Sequence, residues 1–183
     1  MNGGSPGSPP PDPVKRIVAV LRAPGAPLER ALERLAELWG EIDFSGPDRP
    51  FDASGYYAPE MGASLSRRIV SFRELAPPES LVEAKLAAVE VEDALRVDGR
   101  RTVNLDAGYL DLSKVVLASL KPLGQKIHLG RGVWADLVLR FRDGAYRPLE
   151  WTFPDFRDGR YSEELLEVRR RYGAELRARR PER

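Results

Sequence analysis

The polar side chains that could do chemistry are concentrated between Asn104 and Lys126. Asn104 and Asp106 are separated by one residue, so on a strand their side chains share one face. Only five of the 29 Lys and Arg residues are Lys, and three of them, Lys114, Lys121 and Lys126, fall in this segment. These amide, carboxylate and ammonium groups predict binding of a small anionic ligand, such as a nucleotide or phosphorylated metabolite, by Asn104, Lys114 and Lys121. Alternatively, Asn104 and Asp106 only satisfy backbone groups of a turn.

A second group of candidates lies in and just after the irregular segment 42–66, because long ordered loops in compact domains are often functional. Tyr57, Arg67 and Arg68 are predicted to bind the ligand. Glu60, together with Asp106, is the candidate acid–base residue of an enzymatic step, but the sequence leaves open whether the protein is an enzyme. The same side chains could instead form surface ion pairs and hold the loop down.

Acidic residues spread along the chain make Mg²⁺ a candidate cofactor. Oxygen ligands suit Mg²⁺, and several carboxylates could supply them if the fold brought them together: Asp52, Glu60, Asp106, Glu150 and Asp155. Glu150, at the end of a predicted hairpin, is also a candidate ligand-binding residue. The sequence does not show that these residues converge, so it assigns no metal-ligand set.

Composition excludes several classes of site. The chain has no Cys, which excludes disulfides, thiolate zinc sites and iron–sulfur clusters. Its one His, His128, makes a multi-histidine metal site impossible. The net charge of +1 lacks the basic excess that is typical of nucleic-acid binding. A non-enzymatic RNA- or protein-binding module is nevertheless the alternative function, because Tyr57, Trp134 and Trp151 could stack on bases and the C-terminus is basic. The sequence does not indicate an oligomeric state.

The first 13 residues are rich in Gly, Ser and Pro and are predicted to form a disordered tail. No apolar run approaches the roughly 20 residues of a membrane span, and the N-terminus lacks the apolar segment of a signal peptide. We therefore expect a cytoplasmic protein without a membrane partner.

Hydrophobic periodicity predicts the elements that would position these residues. The predicted strands and helices before residue 106 and at the C-terminus are Val14–Leu21 (strand), Leu28–Trp39 (helix), Arg67–Phe72 (strand), Glu79 to about Val97 (helix), Thr102–Leu105 (strand) and a last helix from Ser162. Asp106-Ala107-Gly108 is predicted to be a turn. Leu112–Leu120 is interpreted as a helix capped by Asp111, in preference to a strand.

The clearest pattern is the alternation in residues 133–141, which predicts a half-buried strand. Its core-facing residues should be Val133, Ala135, Leu137, Leu139 and Phe141. Asp143-Gly144 is a hairpin turn signal, and Lys126–Leu129 should add a third strand. We expect one α+β domain, residues 14–180, with a mainly antiparallel or mixed sheet, a C-terminal three-strand meander and helices packed on one face.

Several unusual sequence motifs of this chain, and their order, resemble those of an uncharacterised prokaryotic family, domain-of-unknown-function family 4416. They are FDASGYYAPEMG, RRIVSF, VNLDAGYLDLSKVVLAS and LEWTFPDF. Ala107 and Gln125 depart from the family pattern, which tends to have Pro and His there, so no role for an imidazole at residue 125 carries over. The resemblance implies no established activity. Family members are sometimes labelled GTP-binding, but the chain has no phosphate-binding G-x-x-x-x-G-K-[ST] loop.

Overall fold

One antiparallel sheet organises the protein, whose computed structural model describes residues 10–52 and 55–179. Within these ranges nine strands are paired in the order β2-β4-β1-β5-β6-β8-β7, with β3 on β4 and β9 on β8. The strands are β1 Val14–Arg22, β2 Ile42–Ser45, β3 Arg49–Pro50, β4 Ser66–Ala76, β5 Val103–Leu110, β6 Lys114–Ser119, β7 Ile127–Gly130, β8 Val133–Arg142 and β9 Ala145–Pro148. The predicted single α+β domain with a mainly antiparallel sheet is confirmed.

The helices pack on both faces of this sheet, which corrects the expectation of one covered face. The helices of the described chain are α1 Leu28–Trp39, α2 Ala58–Met61, α3 Leu81–Ala94, α4 Pro154–Arg157 and α5 Ser162–Arg179. Val18 and Val20 of β1 join the core formed with α1 and α3. Ile17 and Ala19 join the core formed with α5. The central strand is therefore apolar at successive positions because both of its faces are buried.

The turn predicted at residues 106–108 is wrong, because β5 runs without interruption from Val103 to Leu110. Gly108 has a different reason to be glycine. A Cβ atom built on it would lie 2.3 Å from the carbonyl oxygen of Val116 on β6. Glycine here allows two strands to approach closely, a use of glycine that resembles a turn signal in the sequence.

The predicted helix over residues 112–120 is also wrong, because Lys114–Ser119 forms β6. Four successive apolar residues of β6, Val115 to Ala118, are buried. A short apolar run of this kind fits a buried helix or a strand covered on both faces, and periodicity does not separate the two. Asp111 does not cap a helix, because its Oδ1 accepts hydrogen bonds from the backbone amides of Ser113 (2.7 Å) and Lys114 (2.9 Å) in a turn.

The two C-terminal hairpins are present, but their strands do not form a simple meander. β8 pairs with β6 along one edge, and β7 and β9 pair with opposite ends of β8. β7 and β9 therefore share the remaining edge of β8.

A register shift in the β6–β8 pair changes which face of β8 is buried. Val115 lies opposite Leu139 and Val116 opposite Leu137, so Val138 is left between them. The five predicted core residues consequently pack in two places. Those before the shift join a cluster with the start of α3, and Leu139 and Phe141 join the α5 core.

The sheet splits between β5 and β6. Strands β5 and β6 are paired at three positions, where Gly108 lies opposite Leu117, Tyr109 opposite Val116 and Leu110 opposite Val115. Toward Val103, β5 stays paired with β1, whereas β6 continues to Ser119 along β8. The two strands therefore diverge and leave an opening within the sheet.

Two buried side chains of α3 take the place of a strand partner at this opening. Lys85 Nζ donates a hydrogen bond to the carbonyl oxygen of Leu105 (3.0 Å), and the amide of Leu105 donates to Glu92 Oε1 (2.6 Å). A buried backbone group without a partner is costly, so these two contacts allow β5 to end its pairing with β6 early.

Most of the predicted N-terminal tail lies outside the described residues, which begin at Pro10. At its end, the carbonyl oxygen of Pro13 accepts a hydrogen bond from the Tyr172 hydroxyl (2.8 Å). Within the described ranges, none of the helices combines the length and apolar character that crossing a membrane requires.

Candidate functional site

A cleft of about 620 Å³ occupies the opening between β5 and β6. Its walls come from β5, β6, β8 and α3, and from the segments around Tyr57 and Phe153. This volume is in the range of clefts that hold small molecules. The split in the sheet therefore creates a binding-sized space lined by side chains from separate parts of the chain.

Buried polar residues are concentrated around this cleft. Seven of the eleven buried polar or charged residues of the described chain line it: Arg67, Lys85, Glu92, Asn104, Lys126, Asp136 and Asp155. Burial of charge is costly unless it is compensated. Clefts with many perturbed ionisable groups are functional-site candidates for this reason.

Arg67 is the central cation of one wall. Its guanidinium donates hydrogen bonds to Asp155 Oδ2 (2.5 Å) and Asp106 Oδ2 (3.1 Å), and the Tyr161 hydroxyl also donates to Asp155 (3.0 Å). The Phe51 ring covers the guanidinium at 4.7 Å. Burial opposes the charge of Arg67, but the Asp106 and Asp155 carboxylates outweigh it and raise its pKa. This cation therefore fixes two carboxylates from β5 and α4.

Arg101 organises the neighbouring part of the wall. It donates hydrogen bonds to Glu60 Oε2 (2.6 Å), Asn104 Oδ1 (2.9 Å) and Glu92 Oε2 (3.2 Å). Its guanidinium lies 5.8 Å from the centre of the Tyr57 ring. Burial raises the pKa of the Tyr57 hydroxyl and also that of the Glu92 carboxyl. Arg101 thus joins Tyr57 and the α2 residue Glu60 to strand β5.

Lys126 and Asp136 form a buried ionic pair on the other wall. Lys126 Nζ lies 3.7 Å from Asp136 Oδ2, beyond hydrogen-bond distance, and both side chains are 3% exposed. Lys126 donates instead to Ser119 Oγ (2.9 Å). Burial lowers the pKa of Lys126 and raises that of Asp136, and each charge only partly offsets the effect on the other. Such opposed shifts suit proton transfer.

Six of the residues predicted from the sequence line the cleft, and three do not. The cleft includes Tyr57, Glu60, Arg67, Asn104, Asp106 and Lys121. The fold therefore joins the irregular segment to the Asn104–Asp106 pair. The three residues that lie elsewhere are Arg68, Lys114 and Glu150.

Each of these three exclusions has a structural reason. Arg68 follows Arg67 on a strand, so it points to the opposite face, where it donates to Asp48 Oδ1 (2.8 Å). Lys114 begins β6 at the closed end of the β5–β6 pair and bonds to Asp111. Glu150 follows β9 and is exposed.

The carboxylates proposed as Mg²⁺ ligands do not form a metal site. In the part of the chain that the structure describes, no group of three or more His, Asp or Glu side chains could hold a metal ion. Asp106 and Asp155 are both bound to Arg67 instead. Asp52 is exposed and bonds to Arg160 at 2.8 Å. Among the described residues, the five candidate carboxylates therefore do not converge on one metal site.

Sequence reasoning missed four important residues of the cleft: Lys85, Glu92, Arg101 and Asp136. Lys85 and Glu92 are two helical turns apart and next to the buried positions Ala84 and Val91, which is a weak signal that they face inward. In the alternating pattern of β8, Asp136 is one of the polar residues, so its side chain was expected to face the solvent. Its burial follows from the second covered face of the sheet.

Comparison with known proteins identifies the family. The family model of a domain of unknown function, DUF4416, matches residues 12–172. Because the match covers most of the chain, the protein belongs to this family, as the sequence motifs predicted. No curated protein and no solved structure matches the chain. The GTP-binding label gains no support from these comparisons.

Proposed function

We propose that this member of the DUF4416 family binds a small anionic ligand, a nucleotide or another phosphorylated metabolite, in the cleft between β5 and β6. The observation that carries the proposal is the concentration of buried charged and polar groups around one cleft of ligand size. A fold gains little stability from burying so many charges. Recognition of a polar ligand accounts for their placement.

The charges of the cleft favour an anion that also carries hydrogen-bond donors. Among the described lining residues, six are cationic and six are acidic. Several carboxylates are already bound, since Asp106 and Asp155 share Arg67, while Glu60 and Glu92 share Arg101. Each guanidinium has five donors, so both retain capacity for an oxyanion. The balance of charge also suits the hydroxyl or amino groups of a ligand.

The apolar part of the lining suits a ring. Phe51, Tyr57 and Phe153 line the cleft together with Leu120 and Leu123. Apolar and aromatic walls with a few placed polar groups are typical of small-molecule sites. This combination favours a nucleotide, whose base can lie on the apolar wall while its phosphate contacts the cations.

For an enzymatic step, we assign proton transfer to Lys126 and Asp136 rather than to Glu60 and Asp106. The carboxylates of Glu60 and Asp106 each accept a hydrogen bond from an arginine, which suits a positioning role. Lys126 and Asp136 have opposed pKa shifts in the same cleft. The pair therefore meets the requirement of a general acid and base better than the residues predicted from the sequence.

Thermal unfolding with a panel of mononucleotides and sugar phosphates at physiological salt tests the proposal. A ligand at 100 times its Kd adds about 2.7 kcal/mol of stability. For a protein of this size the melting temperature should rise by about 5–10 °C. Lys121→Ala should reduce this rise because Lys121 lines the cleft. Lys114→Ala is the matched control, since it removes a lysine outside the cleft and should leave the rise unchanged.

The alternative function gives a different result. An RNA-binding module would bind oligonucleotides with an affinity that falls steeply with salt, and mononucleotides would not raise its melting temperature. If no compound of the panel stabilises the protein, or if Lys114→Ala and Lys121→Ala reduce the rise equally, the proposed site is wrong.

A further inference from the structure

Asn104 has a buried hydrogen-bond donor that has no partner among the described residues. Its side chain is buried, with the residue 4% exposed, and its Oδ1 accepts a hydrogen bond from Arg101 (2.9 Å). This contact fixes the orientation of the amide, because a flipped amide would place two donors against each other. The remaining Nδ2 group has no hydrogen-bond partner among the described residues. Buried polar groups in native proteins nearly always have a partner.

Two further donors without partners belong to the same wall. The Nε atoms of Arg67 and Arg101 are buried and also lack partners within the described ranges. Arg101 contacts Asn104, and Arg67 contacts Asp106, which shares a face of β5 with Asn104. The two arginines therefore contact residues that lie on the same face of β5. Phosphate and carboxylate oxygens have several lone pairs and form their strongest hydrogen bonds with such donors.

The opposite wall presents an acceptor instead. Asp136 is 2% exposed, and its Oδ1 atom has no hydrogen-bond partner in the described chain. Asp136 lies opposite Leu117 of β6, which in turn lies opposite Gly108 of β5. Two strand spacings, on the order of 10 Å, therefore separate Asp136 from β5 at the closed end of the cleft. A bare anion does not reach both walls.

We infer that the ligand carries its oxyanion at one end and a hydroxyl or amino group at the other. The oxyanion binds the β5 wall through Asn104, Arg101 and Arg67, and the donor group binds Asp136. A nucleoside monophosphate or an extended sugar phosphate has this arrangement. The inference rests on the proposed function and adds the orientation of the ligand and the residues that recognise its charged end.

The side-chain amide of Asn104 allows a direct test by nuclear magnetic resonance. The chain has two Asn residues, Asn2 and Asn104, and one Gln, so few side-chain NH₂ signals exist. Titration of the wild-type protein with orthophosphate and with AMP should shift the NH₂ signals of Asn104, because both probes carry the oxyanion. Adenosine, which lacks it, should not shift them. The Asn2 signals are the internal control, and AMP but not orthophosphate should also shift the backbone amide of Asp136.

The variant Asn104→Asp assigns these signals and tests the energetics. It replaces the unused donor by a carboxylate of the same shape, so binding of AMP and orthophosphate should weaken at least about tenfold by charge repulsion. Asn104→Ala removes the donor without adding charge and serves if Asn104→Asp does not fold. Asp136→Asn should weaken the binding of AMP and leave the binding of orthophosphate unchanged.

The failure of this inference differs from the failure of the proposed function. If AMP shifts backbone amides along the cleft while the Asn104 NH₂ signals stay in place, the proposed function stands and the orientation is wrong. If neither orthophosphate nor any mononucleotide or sugar phosphate of the panel, AMP included, shifts a signal of the cleft, both are wrong.

Discussion

Arg67 and Arg68 show how strongly the environment changes the role of one residue type. The two are adjacent on β4, yet Arg67 is buried between two carboxylates and Arg68 lies on the opposite face beside Asp48. The side chain of Arg67 is 4% exposed, and that of Arg68 is 21% exposed. Only Arg67 contributes to the cleft. Two adjacent arginines therefore provide a matched pair for measuring what burial contributes.

We predict that Arg67→Met lowers the free energy of unfolding by about 3 kcal/mol or more, because it leaves two carboxylates without their cation in a largely buried place. Arg68→Met should cost less than about 1 kcal/mol, because its pair is closer to solvent and Asp48 keeps its contact with Arg22. Denaturant unfolding of both variants measures the difference. Equal losses would contradict the role given to Arg67.

Residue types alone identified part of the site. Asn104, Lys121 and Asp106 were found because Asn and Lys are rare in this chain and because polar residues at spacing two share a strand face. Arg67 was found because it directly follows the irregular segment 42–66. Arg101 was missed, since one more arginine among many is not informative in a sequence. Its importance lies in its three partners, which come from α2, α3 and β5. Such contacts exist only after folding.

At the scale of secondary-structure elements, the separation of strand β5 from strand β6 creates the cleft. The strands touch closely at Gly108, and two side chains of α3 then bind the backbone of Leu105 in place of a neighbouring strand. The position of the cleft therefore depends on where the close contact ends. Gly108 is the residue that permits this contact.

We predict that Gly108→Ala destabilises the protein by about 3 kcal/mol or more, because the added methyl group would collide with a backbone oxygen that cannot rotate away. Gly124→Ala is the control, since a Cβ atom there meets nothing within 4 Å and should change stability by less than about 0.5 kcal/mol. Thermal and denaturant unfolding check both variants. A Gly108→Ala protein of wild-type stability would show that β5 and β6 are not in close contact.

The elements that the sequence predicted well are those with a local signal. β1, α1, α5 and the hairpin at Asp143-Gly144 follow from apolar periodicity, helix-ending glycine and turn residues. β6 was predicted as a helix because its continuous apolar run has no periodicity that distinguishes a helix from a strand. The second covered face of the sheet was missed for a related reason, since α5 is separated from β1 by most of the chain and its packing partner is not visible locally.

At the scale of the whole molecule, two groups of buried charges of the described chain have different surroundings. One group surrounds the cleft. The other joins the ends of the chain, where Lys15 on β1 is fully buried and bonds to Asp43 (2.6 Å) and Glu175 (2.5 Å). That second group holds β1, β2 and α5 together. Its residues do not line either of the two cavities described for the structure. Of these two groups, the one around the cleft combines buried charge with space for a ligand.

The most direct test of a ligand-binding cleft is a crystal structure determined in the presence of the mononucleotide that stabilises the protein most. We predict electron density for the nucleotide between β5 and β6, with its phosphate within hydrogen-bond distance of Asn104 and Arg101 and its base against the apolar wall. A saturated complex with the nucleotide bound elsewhere, or a cleft that stays empty at saturating ligand, would contradict the account.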